Sequence, residues 1–331
     1  MPLIGFHCSQ EQFAPSKTLE LASLAEKAGF QGIMTSDHYN PWSEIQGQSA
    51  ATWSWLGAAL AKTNRIEFGS LGIPGGWRYH PTMLAQSIAT LCEMFPERLS
   101  WVALGSGQNL NEHIVGEGWP DKKTRNARLF AGVEVMRALF RGETVNRDDG
   151  VLRVRDAKLW SKPRVFPKLF GAALSPETAA WVGGWADGLV TIHQPKEKLE
   201  PILEAFRRGG GEGKPMHLQV HVSWDPDEKV ARQNAFDHWK TNALKPEQTE
   251  EAQNPQELQR HIDEMSRAQL IEKIESSVRI SSSLEKHVEW ILESAALGFK
   301  QIVLHNVGPG QREFIEAFSH GVLPHVRARE T

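Results

Sequence analysis

Short apolar runs alternate along the chain with longer stretches whose apolar positions recur every three to four residues. Runs of the first kind read as strands buried on both faces, and stretches of the second as amphipathic helices. The first run spans residues 3–8. A helical period follows over 15–28, with Leu19, Leu21, Leu24 and Ala25 inward and Gly29 placed to close it. The second strand begins at Gly32 and runs into Asp37-His38, then Asn40-Pro41 and Trp42. Further strands are expected at 65–73, 99–104, 168–173, 188–192, 217–222 and 301–307, and helices at 49–61, 81–93, 123–140, 195–207, 284–297 and 311–318. Ser175 followed by Pro176 is an N-cap and first-turn signature, so a helix starts there too. A polar hairpin is expected around Asp148-Asp149-Gly150. Residues 224–277 are polar and helix-rich without a strand, which reads as an insertion after the seventh strand. Eight strands alternating with helices predict an α/β chain, a (β/α)8 TIM barrel forming one domain over 1–331.

In such a barrel every strand end faces one mouth, where chemistry is placed. Lining up the ends collects Glu11, Asp37, His38, Trp42, 69–72, 105–111, 173–178, His193, His221 and His305. Neutral imidazole suits proton transfer near pH 7, and an aspartate can fix a neighbour's tautomer. A solvated loop explains Asp37-His38-Tyr39-Asn40-Pro41 equally well on this stretch alone. Ser175 and Thr178 straddle a helix start, a place for phosphate or for plain capping. Gly105-Ser106-Gly107 lacks the third glycine of a dinucleotide fingerprint, because Leu110 stands there. His217 and His221 on one strand are roughly 13 Å apart at strand rise, too far to share an ion, so no metal site is expected.

Composition narrows the partners. Thirty-seven basic against 40 acidic residues leave a net charge of −3 and no long basic run, against binding to nucleic acid or an anionic membrane. Cys8 and Cys92 lie in apolar stretches and read as buried thiols of a reducing compartment. The start Met1-Pro2-Leu3 carries no signal-peptide pattern and no apolar run reaches spanning length, so a cytoplasmic location is expected. Twelve tryptophans against two tyrosines supply flat walls for a planar ligand; Trp42, Trp53, Trp55, Trp77, Trp101 and Trp119 are spread over several segments.

The chain resembles luciferase-like flavin-dependent oxidoreductases, and within them the branch of deazaflavin (F420)-dependent glucose-6-phosphate dehydrogenases. The resemblance rests on Glu11-Gln12-Phe13-Ala14-Pro15, Ser36-Asp37-His38 with Pro41-Trp42, Lys62-Thr63-Asn64-Arg65, Arg78-Tyr79-His80-Pro81, Gly105-x-Gly107, Leu110-Asn111-Glu112 and Gln311-Arg312, in order over nearly the whole chain. It implies His38 as the base, Asp37 beside the cofactor ring and orienting, and Trp42 as the substrate wall. It places Leu71-Gly72 at a strand-three bulge, often a cis peptide, behind the ring. Ser106, Gly107 and Asn111 would touch the cofactor, and Ala172, Ala173, Ser175 and Thr178 would cradle its phosphate. Glu11, Trp42, His193, Lys196, Arg260 and Lys286 would face substrate.

Gln108 stands where that branch has a glutamate proton donor, and glutamine supplies no proton. A subgroup lacking the deazaflavin signature shares the Gly5-to-Ser9 opening and this loop, which favours FMN with F420 as the alternative. The expected function is hydride transfer from a small polar hydroxylated substrate to the flavin. The alternatives are a sugar-phosphate dehydrogenase, a monooxygenase partnered by a flavin reductase, and a non-catalytic flavin sensor. A homodimer is the expected assembly.

Overall fold

The protein is described from a computed structural model covering residues 1–75 and 78–328, so Trp77 lies outside the described residues. Strands β1 (Leu3–Cys8), β2 (Gly32–Thr35), β3 (Glu67–Gly72) and β4 (Leu99–Leu104) lie side by side and parallel. An antiparallel hairpin, β5 (Val145–Asp148) and β6 (Arg153–Ala157), forms a separate small sheet. The ring continues with β7 (Lys168–Ala172), β8 (Gly188–Ile192) and β9 (Met216–Ser223). The two-residue β10 (Arg279–Ile280) pairs with the end of β9, and β11 (Gln301–Asn306) closes the barrel between β9 and β1. Eight of these strands form the closed parallel ring expected from the sequence.

Strand alternation sends one set of side chains to the helices and the other into the barrel. Ile4, Phe6, Ile33, Phe68 and Leu304 face outward, into the core shared with Leu21, Leu56, Ile88 and Phe314 of the surrounding helices. Burying side chains of this size contributes about 1.5–3 kcal/mol each. Met34, Trp101, Ala103, Phe170, Val190 and Val303 fill the interior with half-buried Leu71 beside them. Trp101 Nε1 donates to Gln301 Oε1 at 2.9 Å, which plugs the barrel below the mouth. A Cβ on Gly69 would lie 2.0 Å from the Trp101 ring, so only glycine fits that face.

That crowding also relocates an expected feature. The register break of β3 lies between Phe68 and Gly69, where the indole fills the space, and not at Leu71-Gly72. No cis peptide occurs among the described residues, contrary to the expectation for Leu71-Gly72. Several helix bounds also differ from the sequence reading. The helix expected from 49 begins at Thr52 because Ser49 is occupied elsewhere, its Oγ donating to the carbonyls of His38 and Tyr39. Short helices at Asn109–Glu112 and Leu323–Arg327 were not expected. Each is four or five residues, too short for a period to register. Between β9 and β10 lie helices Glu228–His238, Pro246–Glu251, Pro255–Asp263 and Arg267–Ser277 with no strand, as read for the insertion.

Candidate active site

The end of β2 and the loop after β1 bring His38 and Glu11 together. His38 Nδ1 lies 3.8 Å from Glu11 Oε1, and both side chains are buried. Neither atom has a hydrogen-bond partner among the described residues. The other carboxylate oxygen is held: Oε2 accepts from Ser9 Oγ at 2.8 Å and Ser36 Oγ at 2.6 Å. Burial raises the Glu11 pKa, but His38 and these hydroxyls outweigh it and keep the carboxyl below its usual range. Burial lowers the His38 pKa, as does the Arg78 charge, while Glu11 opposes both; His38 is neutral at pH 7. Trp42 closes one side, its ring 4.8 Å from the imidazole.

Asp37 does not orient His38, which corrects the sequence reading. Adjacent residues of an extended segment point to opposite sides, and Asp37 turns to Arg78 and Tyr79. Its Oδ1 accepts from the Tyr79 hydroxyl at 3.1 Å and its Oδ2 from Arg78 Nη2 at 3.4 Å. Arg78 Nε also donates to Glu112 Oε1 at 3.1 Å, and its backbone N–H to Oε2 at 3.1 Å. Burial pushes the Asp37 carboxyl up to about 6, with Arg78 and Tyr79 pulling the other way. Arg78, Tyr79 and Glu112 belong to stretches that carried the family resemblance, yet were given no role. Their function as a buried ion-pair core appears only when three loops meet.

The loop after β4 approaches the same place. Gly107 has φ +93°, and a Cβ there would lie 2.9 Å from Glu112 Cγ. Asn111, expected on the cofactor, braces the mouth: its Oδ1 accepts from the N–H of Tyr39 at 2.9 Å and of Asn40 at 3.2 Å. Its Nδ2 donates to Gln108 Oε1 at 3.3 Å, leaving the Gln108 amide hydrogens uncommitted to that contact. Ser106 is half-buried in the same loop. Leu71 reaches into the barrel, whereas a side chain at Gly72 would meet Val102, Leu104 and Leu84 on the outer side. Only the Gly72 backbone is therefore available to a ligand.

At the β7 end, Ser175 caps the helix Pro176–Trp185. Its Oγ accepts from Thr178 N at 3.3 Å and donates to Thr178 Oγ1 at 3.1 Å, which is the capping role. Ala173 is buried in the outer core and Ala172 is half-buried.

The expected substrate cations are all exposed at the surface. Lys196 is 71% exposed and paired with Glu200 at 3.6 Å; Arg260 is 72% exposed and paired with Glu257 at 3.6 Å. Lys286 is exposed on the first turn of its helix. Charged side chains on helices turn to water unless a buried partner holds them, and among the described residues none of these is ion-paired with one. His193 is buried at the end of β8, its pKa lowered to about 4 by burial and by Arg279.

The insertion folds back over the mouth. Asn109 Nδ2 donates to the Glu251 carbonyl at 2.8 Å, and Trp42 and Leu110 pack with Leu244, Ala252 and Leu258. His7 of β1, His221 of β9 and His305 of β11 form a buried layer that the sequence reading did not join. Among the described residues no set of three His, Cys, Asp or Glu side chains is arranged to hold a metal ion. Among them, too, no helix is long and apolar enough to cross a membrane.

Comparison with known proteins agrees with this architecture. The sequence profile of luciferase-like monooxygenases matches residues 4–301. The chain is 33% identical to the F420-dependent glucose-6-phosphate dehydrogenase of Beutenbergia cavernae, over 99% of this chain and 98% of that one. It is 34% identical to the protein of the same name from Nakamurella multipartita, over 98% and 96% of the two chains. The solved structure of an F420-dependent secondary alcohol dehydrogenase with an F420–acetone adduct superposes with a TM-score of 0.89 at 29% identity, covering 99% of this chain and all 100% of that one. All three are F420-dependent by name, so FMN, expected from the loop around Gln108, finds no support among them.

Proposed function

The chain belongs to the luciferase-like monooxygenase family and is an oxidoreductase, and we propose that it works as an F420-dependent dehydrogenase of a small hydroxylated substrate. The observation that carries this reading is the His38–Glu11 pair, 3.8 Å apart at the mouth with its facing atoms unpartnered among the described residues. A substrate hydroxyl has a single hydrogen to donate, and the imidazole of His38 is the group that would take it, with the Glu11 carboxylate behind the ring. Such a pair serves substrate oxidation better than oxygen insertion, which needs no base at the substrate hydroxyl.

A deazaflavin fits the surfaces that flank it. Leu71 offers an apolar face from the barrel, the Gly72 backbone lies next to it, and Gly107 keeps bare a place where a Cβ would strike Glu112. Ser106 and the uncommitted Gln108 amide lie along the same edge, and the start of helix Pro176–Trp185 would take the phosphate through backbone N–H groups. Bound there, F420 would accept the hydride released from the carbinol C–H bond.

The side chains handle the proton. His38, neutral at pH 7, takes the hydroxyl proton as the carbonyl forms. Glu11, held ionised by Ser9, Ser36 and His38, balances the imidazolium that results. Trp42 walls the substrate and excludes water on one side. Asp37, Arg78 and Glu112 form a fixed ionic frame that sets the angle of the loop carrying His38. Gln108 would give a hydrogen bond at the position where a glutamate would give a proton.

The test is anaerobic turnover of oxidised F420, followed by its absorbance, with 2-propanol, 2,3-butanediol, glucose and glucose 6-phosphate, in parallel with FMN. Substrate-dependent bleaching of F420 supports the reading. Turnover with FMN alone, or only with oxygen and free reduced flavin, would contradict it.

A further inference from the structure

The loop that carries His38 and Trp42 is held by residues that follow it in the chain. Between Thr35 and Thr52 no helix or strand fixes its backbone. A turn does so instead. The N–H groups of Gln46 and Gly47 donate to the Ser43 carbonyl at 3.2 and 3.4 Å, and Gly47 closes the turn with φ +62°. This brings the Gln46 side chain back to Trp42, where its Oε1 accepts from the backbone N–H at 3.0 Å. On the far side of the same turn the Gln48 N–H donates to the Glu11 carbonyl at 3.0 Å. One turn therefore ties the tryptophan to the residue that faces His38.

Gln46 is only 4% exposed, although Glu44, Ile45 and Gly47 around it are exposed. Glutamine in a surface turn is ordinarily solvated. Here the side chain is buried, and its amide makes a single hydrogen bond among the described residues, the one to Trp42. An N–H donor can be met only by the amide oxygen, which fixes the sense of the contact. What the contact holds is the start of the residue whose indole lies 4.8 Å from the His38 imidazole, tilted by 50°. That indole also packs with Leu110, Ala252 and Leu258.

We propose that Gln46 is a positioning residue, which holds the Trp42 backbone and so sets where the indole stands against His38 and how closely a substrate is confined beside it. This rests on the dehydrogenase reading and adds to it a residue that acts through Trp42 and not on the reacting atoms. Small misplacements of such a wall are felt in turnover, because the reacting atoms must be held within a fraction of an ångström of their productive arrangement.

The experiment measures kcat and KM with F420 and 2-propanol or 2,3-butanediol in the wild type, Gln46→Met, Gln46→Glu, Trp42→Ala and the double variant of Gln46→Met with Trp42→Ala. Gln46→Met keeps the bulk and removes the acceptor, so kcat/KM should fall on the order of ten-fold while F420 affinity is kept. Gln46→Glu, which retains an oxygen at that place, should recover most of the loss. The double variant should be no worse than Trp42→Ala alone, since two residues that act as a unit are not additive. Additive losses, or a Gln46→Met enzyme equal to the wild type, overturn the proposal. A second readout needs no turnover: the His38 ring-proton shift in NMR, which the neighbouring indole displaces. It should move in Gln46→Met toward its value in Trp42→Ala and stay near the wild type in Gln46→Glu. A shift unmoved in Gln46→Met overturns the positioning role. Absence of F420 reduction in the wild type would instead count against the dehydrogenase reading.

Discussion

On the β2–β4 side of the mouth, buried polarity is ionised and paired: Arg78 sits between Asp37 and Glu112, with Tyr79 adding a hydrogen bond. On the β1–β11–β9 side it is neutral: burial holds His7 at about 4 and His221 at about 3, and pins His305 between two glutamines. Both sides line one barrel, yet only the ionic side is closed on itself. Its groups satisfy one another, so it works as a frame. The neutral side and the adjoining His38–Glu11 pair keep buried atoms unpartnered among the described residues, so they are not locked in the way the ionic side is.

The largest effect that separates frame from site is at His38. His38→Ala is expected to lose on the order of 10²–10⁴ in turnover while F420 affinity, measured by fluorescence titration, stays within a few-fold. Arg78→Met should act on folding instead. Leaving Asp37 and Glu112 buried without their cation costs about 3–5 kcal/mol, read by urea unfolding. Equal stability with lost turnover would reverse the two roles.

Acid should strike the neutral side first. A histidine whose folded pKa is depressed contributes stability that is present above the unfolded value near 6.5 and lost as pH falls toward the folded one. His7 and His193 fall to about 4, and His217 and His221 to about 3, so unfolding free energy should drop steadily from pH 6.5 down to 4. Each contributes a slope of up to about 1.4 kcal/mol per pH unit. His217→Phe, within the Trp101–Phe170 layer and away from the mouth, should flatten that slope by nearly one proton. Asp37 runs the other way. Its carboxyl is raised to about 6, so its contribution is present at low pH and lost as pH rises through 6. The smallest effect is expected from Asn111→Ala, which frees the Tyr39 and Asn40 N–H groups and costs about 1–3 kcal/mol by the same unfolding assay.

Much of the fold could be read directly from the chain. Strands such as Leu3–Cys8, Leu99–Leu104 and Gly188–Ile192 are bounded as their apolar runs suggest, because strands buried on both faces show no alternation to misread. The insertion was visible as a polar, strand-free stretch. Side-chain partnership was not visible. Asp37 is next to His38 in sequence and was read as its orienting group, while Glu11 was read as a substrate contact. In the closed barrel β1 and β2 lie side by side, and it is Glu11, not Asp37, that comes within 3.8 Å of His38. The charges of Lys196, Arg260 and Lys286 were legible too, but which way each would point depends on which helix face meets water. The histidine layer needs the β1–β11–β9 register, which no single segment encodes.

The most direct test of the His38–Glu11 assignment is the pH dependence of kcat/KM in the wild type, Glu11→Gln and Asp37→Asn. The wild type should show activity rising with pH as His38 loses its proton. Because Glu11 raises the His38 pKa, Glu11→Gln should move that limb to lower pH, whereas Asp37→Asn should leave it in place. A limb that stays put in Glu11→Gln and moves in Asp37→Asn would contradict the assignment and return the orienting role to Asp37.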